Sequence, residues 1–411
     1  MSQTHLAYEN RVNLGSYYTP SEIVDTAWEM IAPYVNSQTT IIDSACGYGD
    51  FLKNYGQSIT IGCDIDKTAI DVAKKNNDDK VQFFQTNALC DVSRTKFSIP
   101  QQSHVIVVGN PPYNDKTSLI RHNIKDVNFD IDEDIACRDL GISFLRSYNK
   151  LEADVICVLH PLSYLIKPTN FRLLKAFTTN YRLIDGLLIS SSEFPESAKH
   201  TPFPIVLALY ERHTQGMAYN FIHSFRFRIA DKDNKKRAAP IKPQRGAMSI
   251  EDFCLGDFDY INNYVDKYPK KKRPTSNYSL FSSSEGDVQH SENEDPLFFW
   301  TMRDINALKR NRTFVESYSA NTIVLDNRKL DYYAYVDVFK RNLHRLPFYF
   351  GNCDVLIDDN LFKQYKPAFI SDTVRHHPFL KKHFQRNPIE KQQAASGLDM
   401  YFKLLLGAHH I

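Results

Sequence analysis

Nowhere in the 411 residues does an apolar run approach the roughly 18–20 residues needed to cross a bilayer. The opening MSQTHLAYENRVNLG has no signal-peptide core. No CxxC pair occurs either. The seven cysteines (Cys46, Cys63, Cys90, Cys137, Cys157, Cys254 and Cys353) are odd in number and scattered, which argues against a zinc knuckle or a disulfide frame. No Glu-x-Lys triplet is present, so a nuclease built on an acid pair and an ExK element is not expected. These absences predict a protein of a reducing compartment, the cytoplasm, with no membrane partner and no metal.

What is present fits a folded globular protein rather than a disordered or fibrous one. Hydrophobic residues make up 42% and charged residues 24%, near the average of globular chains, and the length predicts two to three domains. The net charge of +2 conceals an asymmetry. Residues 1–215 hold 20 Lys+Arg against 25 Asp+Glu, a net of −5; residues 216–411 hold 30 against 23, a net of +7. A basic half joined to an acidic one points to a polyanionic partner for the second half.

The first half alternates strands and helices. Strands are predicted over 39–45, 58–64, 81–87, 103–110, 153–159, 182–190 and 204–212, and helices over 51–55, 67–76 and 140–151. Near-continuous apolar strands separated by helices read as a parallel sheet covered on both faces, with ligands at the carboxyl ends of its strands. After about residue 215 the alternation stops. The second half is rich in Tyr, Phe, Lys and Arg, with a basic stretch YPKKKRP (268–274) and a polar loop SSSEGDVQHSENEDP (282–296).

Two segments at strand ends suit a cofactor. DSACGYGDF (43–51) follows a strand; Gly47 and Gly49 permit a tight turn and the following helix offers free amides. Asp64, in IGCDID, ends the next strand, where a carboxylate accepts hydrogen bonds from ribose hydroxyls. A dinucleotide fingerprint would need a third glycine near Leu52, and Asp43 before the turn suits a cationic group such as an α-ammonium. Upstream, SYYTPSEIVDTAWEMI (16–31) carries a capping box: Thr19 as cap, Pro20 at the first helical position and Glu22 at the third, with Ile23, Ala27, Met30 and Ile31 on the apolar side. The Thr19 hydroxyl and the helix amides are placed to hold a carboxylate.

Asn110-Pro111-Pro112-Tyr113 follows the apolar strand VIVVG. An aromatic amine is a poor nucleophile because its lone pair is delocalised into the ring. Two acceptors gripping both N–H hydrogens favour a pyramidal nitrogen and free that lone pair. The Asn110 side-chain oxygen and the Pro111 carbonyl are such a pair, held still by prolines whose φ is fixed. Tyr113 offers a face for stacking a planar base.

On these motifs the sequence resembles the amino-group DNA methyltransferases that use S-adenosylmethionine to modify adenine N6 and accompany restriction enzymes. The order of cofactor segment, glycine turn, NPPY tetrapeptide and C-terminal domain matches their gamma class over roughly residues 14–212. NPPY is shared with ribosomal RNA and protein-glutamine methyltransferases; the YYTP segment and the long second domain favour DNA.

The resemblance implies a Rossmann-like S-adenosylmethionine-dependent methyltransferase sheet over 1–215 and a mixed α+β target-recognition domain over 216–411. It implies that Thr19 and Pro20 contact the methionine end of the cofactor, with Asp43, Ala45, Gly47 and Gly49 in the glycine turn. Asp64 falls on the ribose acid and Ile65 beside the adenine ring. Asn87, next to Ala88, takes a position where the family commonly has an acid, and its amide oxygen accepts the same hydrogen bond. Phe144 falls on an aromatic packed against the cofactor adenine, and Phe194 on one that contacts a flipped target base. Lys271, Lys272 and Arg273, with Lys235, Lys236, Arg237, Lys270, Lys309, Arg310 and Arg312, are expected on the phosphates of double-stranded DNA. The expected protein is a monomer that shares its site with a cognate restriction endonuclease without binding it.

Overall fold

In a computed structural model the chain is described over residues 19–52, 58–113, 130–194, 204–230, 248–249, 298–301, 322–325, 359–376 and 388–409, with single positions between 334 and 348 and at 381. The β-branched runs become strands β1 (Thr39–Asp43), β2 (Ile59–Asp64), β3 (Gln82–Gln85), β4 (His104–Gly109), β5 (Val155–Pro161), β6 (Tyr181–Ser190) and β7 (Pro204–Arg212). Short strands β8 (Arg226–Ile229) and β9 (Met248–Ser249) complete a nine-stranded sheet of order β3-β2-β1-β4-β5-β7-β6-β8-β9. Every residue of β1 is buried, whereas β3, with Gln82 and Gln85 exposed, closes one edge with polar side chains.

The run β3-β2-β1-β4-β5 is parallel, the doubly wound order. The expectation of an all-parallel sheet is corrected beyond it: β7 lies antiparallel between β5 and β6. A strand buried on both faces reads as one apolar run whichever way it points, so the sequence pattern carries no sign of direction. The architecture is a doubly wound α/β sheet whose parallel half is continued by an antiparallel strand.

Helix α1 (Ser21–Ile31) buries Ile23, Val24, Ala27, Trp28 and Ile31 and packs on β5 and β7. The capping box is not formed as expected. Pro20 is the N-cap, extended at φ −54° and ψ 143°, with no side-chain cap; its carbonyl accepts Ile23 N–H and Val24 N–H at 3.0 and 3.2 Å. Thr19 lies one residue too early to cap, which leaves its hydroxyl for another partner. Helices α2 (Lys67–Asn76) and α3 (Leu140–Lys150) start as their sequences suggest, each on an aspartate: Asp66 accepts Thr68 N–H, and Asp139 accepts Gly141 and Ile142 N–H. The helix expected over 51–55 is not seen at Phe51 and Leu52, which lie in and just after a turn; 53–55 fall outside the described residues.

Short helices α4 (Ser163–Ile166), α5 (Pro168–Leu173), α6 (Lys175–Asn180) and α7 (Tyr219–Ser224) link the later strands. The chain divides into two compact units, Met1–Lys199 with Pro204–Ser249, and His200–Phe203 with Ile250–Ile411. The first unit thus extends past the expected boundary at 215 because β8 and β9 add to its sheet. The second contains the antiparallel pair β10 (Phe298–Thr301) and β11 (Thr322–Leu325), and helices α8 (Asp359–His376) and α9 (Lys391–His409). Its buried Tyr335, Phe369 and Tyr401 pack together, the two hydroxyls 2.9 Å apart. Among the described residues no helix is long and apolar enough to cross a membrane.

Candidate functional site

The carboxyl ends of β1, β2 and β4 are adjacent, because β1 pairs with both neighbours. That register brings Asp43, Asp64 and Asn110 to one edge. Between Asp43 and Asn110 sits Gly109, at φ +139°. A Cβ there would lie 2.6 Å from Asp43 Oδ1, so only glycine lets the end of β4 pass this close to the carboxylate.

Asn110 follows that approach. Its side-chain Nδ2 donates to Thr19 Oγ1 at 3.2 Å, joining the tetrapeptide to the start of α1. Its Oδ1 is buried and has no hydrogen-bond partner among the described residues. A buried acceptor left unpaired costs about 1–3 kcal/mol, so this oxygen marks a place where a donor belongs. Pro111 is buried, and Pro112 and Tyr113 are half-buried.

The glycine turn is held by β2. Cys46 N–H donates to Cys63 O at 2.8 Å, and Gly47 N–H donates to Asp64 Oδ2 at 2.8 Å. Gly47 and Gly49 both have positive φ, +52° and +81°. Asp64 Oδ1 accepts Asp66 N–H at 2.9 Å, and Asp43 Oδ1 accepts Ala45 N–H at 3.1 Å. On the far side of the turn, buried Trp28 donates its indole N–H to Phe51 O at 3.1 Å, tying α1 to the turn.

Neither aspartate is paired with a basic side chain among the described residues. Burial pushes the Asp43 carboxyl up to about 8, partly offset by the Ala45 N–H and reinforced by the charge of Asp64. Burial raises Asp64 as well, against hydrogen bonds from the Asp66 and Gly47 amides. Two buried acids without a counter-ion are costly alone and favourable beside a cationic ligand. Next to them Ile65 stands 42% exposed, an apolar side chain available to a flat ring. These features fit S-adenosylmethionine: an ammonium and sulfonium for the acids, ribose hydroxyls for Asp64, and an adenine for Ile65.

Other expected residues lie on the neighbouring loops and on α3. Asn87 Oδ1 accepts Leu89 N–H at 3.0 Å, and its Nδ2 donates to Asp130 O at 2.7 Å. Its side chain therefore ties its own loop to residue 130, a bond the family's acid could not donate. Lys96 Nζ grips the same loop through Asn87 O, at 2.7 Å, and Cys90 O. Ala88 and Phe144 are buried, the latter with its ring 6.3 Å from that of Tyr148. Phe194 is 2% exposed, folded inward by a tight turn over Ser191–Glu193, so its ring is covered rather than offered to a base. Lys271, Lys272 and Arg273, and the other basic residues expected on DNA, lie outside the described residues.

Three contributors escaped the sequence reading. Gly109 stands in plain view before the tetrapeptide, where a glycine at a strand end was the signal. The Trp28 bond to the turn and the Tyr164 bond to the Asp139 cap join residues more than twenty positions apart, and no local pattern reveals such bonds.

Comparison with known proteins bears on the same segment. Residues 3–166, which are 164 of the 411, match the family model described as N-6 DNA Methylase. No curated protein sequence matches the chain. Among solved structures, one similar chain is assigned as a modification subunit of a type I restriction enzyme from Vibrio vulnificus YJ016 (16% identity, 68% of this chain and 60% of that chain, TM-score 0.38). Another is a type I restriction-modification methyltransferase subunit from Streptococcus thermophilus (14%, 56% and 50%, TM-score 0.36). A third is assigned as a class I S-adenosylmethionine-dependent methyltransferase from Listeria monocytogenes (12%, 59% and 76%, TM-score 0.34). The chain thus spans about 60% of the Vibrio subunit and half of the Streptococcus one. At these scores the likenesses carry no weight of their own; the fold rests on strand order and the site on its residues.

Proposed function

Because residues 3–166 match the N-6 DNA methylase family, whose cofactor is S-adenosylmethionine, we propose that this chain methylates the N6 amine of an adenine flipped out of double-stranded DNA. The observation that carries the reading is the buried, unpartnered Asn110 Oδ1 at the end of β4, in an NPPY sequence, with its amide turned to Thr19.

When bound, S-adenosylmethionine supplies a methyl group on a positively charged sulfur, a reactive electrophile with a neutral leaving group. The rest is the work of this chain. Asp43 would pair with the ammonium end, Asp64 would accept from the ribose, and Ile65 would cover one face of the cofactor's adenine. Asn110 Oδ1 accepts one hydrogen of the target amine and the Pro111 carbonyl the other, which turns the nitrogen lone pair outward for attack. The target nitrogen, cationic once methylated, would release its proton to solvent, so the chain needs no strong base beside Asn110 and Pro111. Tyr113 offers its face to the extruded base and recovers part of the few kcal/mol spent on unstacking.

The second unit is the target-recognition domain on this reading, and the basic residues of 216–411, Lys271, Lys272 and Arg273 among them, meet the phosphates. The excess of positive charge there supports it. The activity is that of a site-specific modification enzyme of the type II kind, protecting DNA from an endonuclease that recognises the same sequence, and it is exercised by a monomer in the cytoplasm. The experiment is single-molecule sequencing of DNA from a host expressing the protein, beside a labelled-methyl assay on duplex DNA, ribosomal RNA and a release factor. N6-methyladenine in one sequence context, with label entering DNA, is expected. Label entering only RNA or protein would overturn the substrate.

A further inference from the structure

We propose that Tyr164 is a positioning residue for the tetrapeptide: acting through Asp139 and the bare Gly141, it fixes the seat on which Tyr113 is held for the target base. The inference rests on the function proposed above and adds a residue that the NPPY chemistry does not itself require.

Four residues meet at this seat. Asp139 Oδ1, the cap of α3, accepts Gly141 N–H at 3.0 Å and Ile142 N–H at 3.4 Å. The same oxygen accepts the hydroxyl of Tyr164, from α4. Gly141 lies between that hydroxyl and the tetrapeptide. A Cβ at Gly141 would stand 2.9 Å from Tyr113 Cβ and nearer still to the Tyr164 hydroxyl. The start of α3 therefore has no spare volume on the side facing Tyr113, and a shift of the cap is transmitted to that residue directly.

Tyr164 is itself held from behind. Its ring is 1% exposed and stacked on His160, with centroids 5.4 Å apart and planes inclined by 13°. His160, at the carboxyl end of β5, is locked on both nitrogens. Pro161 O accepts from Nδ1 at 2.9 Å, and the Tyr210 hydroxyl donates to Nε2 at 2.6 Å. A carbonyl only accepts, so Nδ1 carries a proton; burial pushes the ring's pKa down to about 4, which keeps it neutral and leaves Nε2 to accept from Tyr210. A neutral, doubly anchored imidazole is a firm backing over the working pH range. Nothing in methyl transfer calls for a buried histidine and tyrosine here, whereas a stiff mount for a stacking residue does.

The test removes one oxygen atom. Tyr164→Phe keeps the ring and its stacking on His160 and deletes only the hydroxyl that holds Asp139. Duplex DNA carrying the methylated sequence, with 2-aminopurine replacing the target adenine, reports extrusion by its fluorescence. The expected result is a turnover reduced about tenfold and a weaker 2-aminopurine signal, with cofactor affinity within twofold of wild type by calorimetry. Asp139→Asn, which retains the accepting oxygen, is expected to stay within about threefold of wild type, and Asp139→Ala to resemble Tyr164→Phe. Turnover and fluorescence of Tyr164→Phe equal to wild type would overturn the assignment, as would a loss shared equally with cofactor binding. A wild-type protein that methylates no duplex DNA would instead overturn the reading beneath it.

Discussion

Asn110 gives its amide hydrogen to Thr19 Oγ1 across 3.2 Å, and in doing so turns its own carbonyl oxygen into a buried position without a partner. With the amide nitrogen on Thr19, the oxygen end of the side chain is the one left facing the pocket. The bond also links the first described residue of the chain to the tetrapeptide 91 positions later.

Replacing Asn110 by alanine removes the acceptor and should lower methyl transfer on the order of a thousandfold. Cofactor affinity should stay within a few-fold, because the acids that hold it are untouched. A labelled-cofactor assay beside calorimetry separates the two, and turnover near wild type would end the role given to Asn110.

Thr19→Val keeps the shape of the side chain and deletes the acceptor for Asn110 Nδ2. Freed to rotate, Asn110 should lose between about ten- and a hundredfold in turnover, with the protein still folded. Rates measured beside a thermal melt check this.

Gly109→Ala places a methyl group 2.6 Å from Asp43 Oδ1 at a backbone angle that L-residues avoid. A cost of about 1–3 kcal/mol in stability is expected, together with weaker cofactor binding as Asp43 is displaced. Urea unfolding and calorimetry on one preparation read both effects.

The raised carboxyl of Asp43, at about 8, sets two opposite pH trends. Between about pH 4 and 8 the folded chain holds a proton that the unfolded chain has released. The folded state binds more protons there, so this group makes stability fall as pH rises through that window, by at most about 1.4 kcal/mol per unit. Binding runs the other way: a cationic ligand needs the ionised form, so cofactor affinity should weaken as pH drops below about 8. In Asp43→Asn both slopes should flatten; a wild-type affinity that does not change between pH 6 and 9 would count against the pairing.

If Lys271, Lys272 and Arg273 meet phosphates, their joint replacement by alanine should weaken DNA binding alike for all sequences. Each lost contact should reduce the slope of log affinity against log salt by about 0.9. Filter binding at several salt concentrations measures it, and an unchanged slope would remove the three from the interface.

The sheet was legible because its signal is local. Runs such as TTIID, HVIVVG and PIVLALYER are β-branched and apolar, and each became a strand within about two residues of its expected ends. KTAIDVAKKN, with Asp66 before it, became α2 over the same residues. Direction was not legible at β7, since burial on both faces erases the alternation that would separate one pairing from the other. Thr19 was read as a cap because its spacing to Glu22 was right; Pro20, extended, took that place. Phe194 was placed by resemblance on an aromatic that contacts a flipped base, and nothing in its local sequence shows that it follows a turn of three residues and is buried. The residues that make the edge chemical, Asp43, Asp64 and Asn110, could be picked out one by one. Their convergence came from strand order, which depends on pairings between segments far apart.

The Trp28 indole braces the glycine turn against the helix that starts beside Thr19. That threonine is the one on which Asn110 leans. The cofactor side and the target side of the cleft thus rest on one common support rather than on two separate ones.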